Sequence, residues 1–344
     1  MQAHARYARP VSSPTTPGNA SELTDPVALT GPRGRLNPAA VGYSRTPLHS
    51  TALPGWGRNK RWEYWGVITP THVIGLTISS LDYAGVHQIY VLDRATGIDR
   101  EWDAVVPFAR GVRLPDTPPP FAARGGTRTM RLHFSDVRGG TKLSASAPGL
   151  RLQLLVETGG DSLGVVVPWS AKRFQYTVKD LARRVSGSLT LDGTHVDVDA
   201  DASWAVLDRG RGRWPYRMTW NWAAGSGIVA GERIGLQLGG RWTDGTGMTE
   251  NALFVDGFLH YIPTALDWQY DPADWTAPWR VTGERVEATL TPFFVRHSRT
   301  NAVVVASETH QAFGEWSGWA TDDDDGVHRL EGLLGWAEQA TNRW

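Results

Sequence analysis

The segment Val185-Ser-Gly-Ser-Leu-Thr-Leu191, Asp192-Gly193, Thr194-His-Val-Asp-Val-Asp-Ala200 does most to narrow what this chain can fold into. Two runs of alternating or β-branched residues flank an Asp-Gly pair, and such a pair supplies the positive φ angles of a two-residue hairpin turn. The same grammar recurs along the chain. Lys60–Thr69 and Val73–Ser80 meet across a short turn, and Val86–Leu92 and Glu101–Pro107 flank Asp93-Arg-Ala-Thr-Gly97. Further strands are expected around Thr129–Ser135, Leu150–Val156, Leu163–Trp169, Phe174–Val178, Tyr216–Trp222, Ile234–Trp242, Ala252–Tyr261, Val286–Val295 and Gln311–Ala320. Only Lys179–Arg184 and Pro263–Trp275 read as able to make even one helical turn, apart from a short turn at Asn37-Pro-Ala-Ala. With 38 glycines to serve as turn residues, the chain reads as an all-β, almost wholly antiparallel protein.

Closing long alternating strands on themselves removes sheet edges and encloses an interior, as in lipocalin-like β-barrels. A chain of 344 residues suits two such barrels in series. The expected division is a disordered tail over residues 1–25, an arm and first barrel over 26–170, and a second barrel over 171–344 that carries the densest motif region.

Lysine plus arginine and aspartate plus glutamate both number 35, so no long-range field draws in nucleic acid. The absence of cysteine removes thiol nucleophiles and thiolate metal sites. The N-terminal residues lack the apolar run of a signal peptide, no segment approaches the length of a membrane span, and a cytoplasmic location is the default expectation. No phosphate-binding glycine loop or histidine metal pattern is apparent, and Asp322-Asp-Asp-Asp-Gly326 reads as a solvated hairpin tip rather than a calcium loop. Neither a cofactor nor a metal is expected. Oligomeric state leaves no signature in the sequence.

Between Trp204 and His260, indoles, acids, amides and glycines crowd together beyond what a sheet core needs. Asp208 follows the apolar Trp204-Ala-Val-Leu and precedes Arg209, Arg211 and Arg213, any of which could pair with it. Glu250, between Thr249 and Asn251, is the second candidate acid. Burial at the apolar mouth of a barrel would disfavour the charge on Asp208 and leave it able to donate a proton near neutral pH. Asp244 and Asp256, each followed by glycine, read as turn residues. Trp220 and Trp222 lie on one face of a strand with Asn221 on the other, and either face could be the inward one. Trp242, Tyr64, Trp65 and His260 complete the candidate substrate-binding set, with Trp62 beside Tyr64 and Trp65.

The series Leu191-Asp-Gly, Val206-Leu-Asp208-Arg-Gly-Arg-Gly-Arg-Trp-Pro, Trp220-Asn-Trp-Ala, Gly240-Arg-Trp-Thr-Asp-Gly-Thr246 and Thr249-Glu-Asn resembles a bacterial family known as domain of unknown function 2804. Gly34-Arg-Leu-Asn, Lys60-Arg-Trp-Glu-Tyr-Trp65 and Asp82-Tyr-Ala-Gly85 resemble its N-terminal part, so the likeness runs over about residues 25–344. More remotely the chain is similar to carotenoid 1,2-hydratase and AttH-like proteins, which are tandem calycin barrels. That resemblance implies two consecutive antiparallel lipocalin-like (calycin) β-barrels and Asp208 as the acid that protonates an alkene. Here Arg209 and Gly210 follow the acid, where the hydratases carry His and Glu.

Two acids among indoles lead to the expectation of a cofactor-independent hydratase, isomerase or cyclase acting on an apolar or polycyclic small molecule, with Asp208 and Glu250 as the proton-transferring residues. A non-catalytic carrier of lipids or hydrophobic metabolites would need the indoles without the acids. A carbohydrate-active enzyme would need the two carboxylates to face each other across a cleft.

Overall fold

The computed structural model describes residues 20–302 and 305–343. Most of the expected 1–25 tail lies outside the described residues; of its last residues, Glu22 pairs with Arg45 at 3.2 Å and bridges to Tyr43. The arm that follows packs Leu29 and Leu53 against Val166, Phe174, Tyr176 and Val178. Its one-turn helix at Pro38–Ala40 is capped by Asn37, whose side chain accepts the Ala39 N–H, as the Asn-Pro pair implied.

The architecture is all-β, in two curled antiparallel sheets, with no α-helix among the described residues. The first sheet runs in spatial order from Asp99–Pro107 through Ala84–Asp93, His72–Ser80, Lys60–Ile68, Trp204–Arg213, Arg173–Leu191, Leu150–Glu157, Gly140–Ala147 and Arg131–Val137 to Ala122–Gly126. It curls nearly closed: the backbone of Gly125 in its last strand lies so close to His87 that a Cβ there would come within 2.5 Å of the imidazole. Its interior is filled by Trp65, Val67, Ile74, Leu76, Phe134, Leu152, Ala205 and Leu207. The second sheet orders Phe258–Ile262, Asn251–Val255, Glu232–Gly240, Arg217–Val229, Leu333–Arg343, Val305–Thr321, Val286–Ala302, Trp279–Gly283 and Asp267–Gln269 around Ala223, Leu236, Leu238, Trp279 and Trp316.

Three sequence expectations change. Lys179–Arg184 makes no helical turn; it lies in the 19-residue strand Arg173–Leu191, where a register shift between Asp180 and Arg183 and Ala182 at φ 52° bend the strand. Pro263–Trp275 holds a short strand, Asp267–Gln269, rather than a helix. The chain changes sheets between Arg213 and Arg217, not near residue 170, because Arg173–Leu191 and Trp204–Arg213 pair with each other and the latter with Lys60–Ile68. The Asp208 strand therefore belongs to the first sheet, and the Glu250 segment to the second.

A third core lies between the sheets. Their outer faces meet there through Val165, Val167, Leu181 and Val206 from the first sheet and Trp222, Ala224, Ala252, Phe254, Tyr261, Phe313 and Trp336 from the second. The two-residue side-chain period makes this possible. On Trp204–Arg213, the side chains of Ala205 and Leu207 enter the first interior, while Val206 turns to the other sheet.

Candidate active site between the two sheets

Asp208 shares the face of Val206, so its carboxylate also points into the layer between the sheets. Its cross-strand neighbours are Tyr64 on one side and Lys179 on the other. The Lys179 ammonium is buried, 3.1 Å from Asp208 Oδ1 and 3.2 Å from Glu250 Oε2. One cation thus joins an acid from each sheet. Trp62 Nε1 donates to Asp208 Oδ2 at 3.1 Å and the Thr177 hydroxyl to Oδ1 at 3.0 Å. Trp242 Nε1 donates to Glu250 Oε1 at 2.6 Å. The ammonium also sits over the Trp222 ring, 4.2 Å from its centroid, where the ring's negative face favours it.

A third acid, Glu338, approaches from Leu333–Arg343, opposite Trp222 and Gln311. Trp220 Nε1 donates to its Oε1 and Gln311 Nε2 to its Oε2, each at 3.1 Å. Three acids around one lysine make a set that cannot all ionise cheaply. Desolvation pushes Glu250 up to about 7, with the Asp208 charge adding to it and Lys179 opposing it. Glu338 is pushed up to about 7 as well, chiefly by burial. Burial works against the Lys179 ammonium, but Asp208 and Glu250 outweigh it and hold its pKa above the ordinary lysine value.

Indoles wall the site. Trp214 packs against Trp62, Trp169 and Trp220 at centroid separations of 5.7, 5.1 and 5.6 Å and stacks on Trp242 at 5.4 Å. Trp222 meets Tyr64 and Trp336 edge-on. Two glycines make room for this layer. A Cβ on Gly210 would fall 2.1 Å from the Trp62 ring, and one on Gly239 would fall 2.2 Å from Glu250 Cγ, so any side chain there displaces a site residue.

Of the residues singled out in the sequence, Asp208, Glu250, Trp220, Trp222, Trp242 and Tyr64 come together. Three do not. Trp65 fills the interior of the first sheet. Asn221 faces the interior of the second, donating to Tyr270 Oη and to the Glu338 carbonyl. His260 turns away to Asp323, 3.2 Å from its Oδ2. The assembly forms between the sheets rather than inside the second barrel, because the strands that carry it present their outer faces to one another. Nor do the arginines after Asp208 oppose it: Arg209 points to the other face and pairs with Glu63 at 3.1 Å.

Lys179, Glu338, Trp169 and Trp336 escaped the sequence reading. Lys179 had a signal, since Gln175, Thr177 and Lys179 form a polar row at strand period, but six residues read as a helical turn concealed it. Glu338 follows the apolar Leu334 and Trp336 on the same strand face and gave no comparable polar signal. Among the described residues, one group could ligate a metal: His297, Glu308 and His310, whose ligand atoms lie within 4.8 Å of one another on the paired strands Val286–Ala302 and Val305–Thr321.

The fold is that of the AttH-like tandem calycins, two consecutive antiparallel lipocalin-like barrels. A putative AttH from Nitrosomonas europaea superposes with a TM-score of 0.53 at 16% identity, over 84% of this chain and 94% of that one. CghA, solved with Sch210972, gives 0.52 at 14% identity over 86% and 89%. A kievitone hydratase from Nectria haematococca gives 0.46 at 10% identity over 84% and 89%. None of the curated proteins compared matches the chain in sequence. The chain belongs to the family described as Domain of unknown function (DUF2804), whose model matches residues 20–344. No helix of the described residues is long and apolar enough to cross a membrane.

Proposed function

We propose that this protein is a cofactor-independent enzyme that transfers a proton to or from an apolar or polycyclic small molecule, giving hydration, isomerisation or cyclisation. The observation that carries the reading is the Asp208–Lys179–Glu250 bridge within an indole wall, with the Glu250 carboxyl pushed up to about 7. A carboxylic acid that keeps its proton near neutral pH is a general acid, and its conjugate base can take the proton back. In hydration, Glu250 delivers its proton to one alkene carbon. Water adds through oxygen to the other carbon, and the proton that water sheds returns to Glu250. Asp208 and Lys179 position that carboxyl, while the faces of Trp220 and Trp214 shelter developing positive charge. In isomerisation or cyclisation the same proton is delivered and recovered without water. CghA, of similar fold, was solved with the small molecule Sch210972, which supports a small-molecule ligand here.

A glycoside mechanism needs open space between two carboxylates. Here an ammonium fills the space between Asp208 and Glu250, which counts against it. The test begins with mass spectrometry of the species that co-purifies with the protein, followed by turnover of that species. Wild type should convert it, while Glu250→Gln binds with similar affinity and converts it slowly. Unchanged turnover in Glu250→Gln and Asp208→Asn removes the mechanism. Binding without conversion by wild type replaces the enzyme with a carrier.

A further inference from the structure

The N-terminal arm and the first sheet border an open cavity of about 540 Å³, lined by Arg33, Arg35, Arg58, Lys172, Arg173 and Arg213 and by no aspartate or glutamate. We propose that this cavity binds the phosphate group of a phosphorylated ligand. The reading stands independently of the reaction proposed above.

The chain as a whole is electrically balanced, so six cations without an acid is a local segregation rather than a reflection of composition. Several buried or half-buried arginines elsewhere meet carboxylates, as Arg45 meets Asp161, Arg183 meets Asp180 and Arg209 meets Glu63. Among the described residues, none of these six cations has an ion pair with a carboxylate. The acid whose charge reaches Arg213 is Asp82. Its carboxylate is already taken by Arg61 at 3.1 Å and by the Gly57 and Asn59 N–H groups.

The base of the cavity is built in place. The Arg213 guanidinium donates to Asn59 Oδ1 at 2.9 Å and to the carbonyls of Gly34 and Pro54, all neutral acceptors that fix it without cancelling its charge. Gly34 adopts φ +66°, and a Cβ there would fall 2.7 Å from Pro54 Cγ and 3.1 Å from both terminal guanidinium nitrogens, so glycine suits both the backbone and the packing at this seat. Crowding like charges raises the free energy of the folded state, and an anion relieves that cost. Arginine forks match phosphate oxygens in pairs, and a phosphate ester gathers more charge at one centre than a carboxylate does. At the rim, Trp56 leaves 67% of its surface exposed beside the cations, a flat apolar platform for the body that carries the phosphate.

The same chemistry occurs in soluble phosphate esters and in phospholipid head groups, and two probes separate them. Sodium pyrophosphate is titrated calorimetrically into the full-length protein at fixed ionic strength, and phosphatidylcholine vesicles with and without phosphatidic acid are sedimented with it. The comparison is with the double variant Arg58→Glu/Lys172→Glu, both of whose sites are exposed, with folding checked by circular dichroism. Saturable pyrophosphate binding that weakens tenfold or more in the variant supports a soluble ligand. Sedimentation only with phosphatidic acid, lost in the variant, supports the lipid source. No binding of either probe, or binding equal in wild type and variant, overturns the proposal. The variant Arg35→Ala/Arg58→Ala, which lowers the charge without reversing it, should lie between the two.

Discussion

Asp208 and Arg209 are adjacent in sequence and anchor two buried charge clusters on opposite faces of one strand. Arg209 meets a single carboxylate, Glu63, at 3.1 Å and lies over the Phe121 ring. That ion pair is matched one to one. Its neighbour Arg211, desolvated and repelled by Arg209, falls to about 9 and rests on the carbonyls of Trp62, Gly210 and Pro115. Asp208 meets one lysine that is shared with a second acid while a third stands nearby, and two carboxyls of that set are pushed up to about 7. A matched buried pair leaves no acid without its cation. A surplus of acids over cations leaves a proton to be moved. The difference is one of stoichiometry, and it separates a structural cluster from a chemical one within a few ångströms.

The largest effect to test is on turnover. Glu250→Gln should lower turnover of the captured substrate by about 10²–10⁴-fold, the range of a lost general acid, while Lys179 keeps Asp208 as its partner and the fold persists. A turnover within a few fold of wild type breaks the contrast. The next effect has the opposite signature. Glu63→Gln leaves the Arg209 charge buried without a carboxylate and should cost about 3–5 kcal/mol in chemical denaturation, without altering the pH profile of turnover in the protein that remains folded. If Glu63→Gln shifts that profile, the two clusters act as one.

This contrast was only half legible in the chain. The strands and Asp-Gly turns could be read because period-two alternation and positive-φ turn residues are local signals; Asp192 at φ 48° and Asp256 at φ 50° adopt the expected left-handed backbone. Asp208 and Glu250 stood out as acids set among apolar residues and indoles. What joins them did not. Lys179 reaches its place because a register shift redirects a 19-residue strand, and Glu338 arrives from 130 residues beyond Asp208 in sequence. The choice between the Trp222 and Asn221 faces also depends on which sheet stands opposite. Side-chain period fixes which residues share a face, but only the packing of two sheets decides what that face meets.

A smaller effect follows from the raised carboxyls. Glu250 and Glu338 keep protons in the folded state that the unfolded chain, with carboxyls near 4.5, has already lost. Between about pH 4.5 and 7 the native state therefore binds more protons, and these two groups make stability fall as pH rises. The slope approaches about 1.4 kcal/mol per pH unit for each group where its native form alone is protonated. Denaturation midpoints at pH 5, 6 and 7 should show it, and Glu250→Gln should flatten it. A slope absent from wild type would place the surplus proton elsewhere.

The smallest effect concerns the rings that cover the two cations. Phe121 lies over Arg209 and Trp222 over Lys179, the latter also donating its N–H to Gln237 at 2.9 Å. Phe121→Leu and Trp222→Phe should each cost about 1 kcal/mol, the scale of a cation–π contact or a neutral hydrogen bond. Stability alone would not tell them apart. In Trp222→Phe the ammonium is held less firmly beside Glu250, so its opposition to the raised pKa weakens and the midpoint of the pH profile of turnover should move upward. Phe121→Leu should leave that midpoint where it is, because Arg209 answers to Glu63 on the far side of the strand. Equal midpoints in the two variants would show that Lys179 does not set the proton affinity of Glu250.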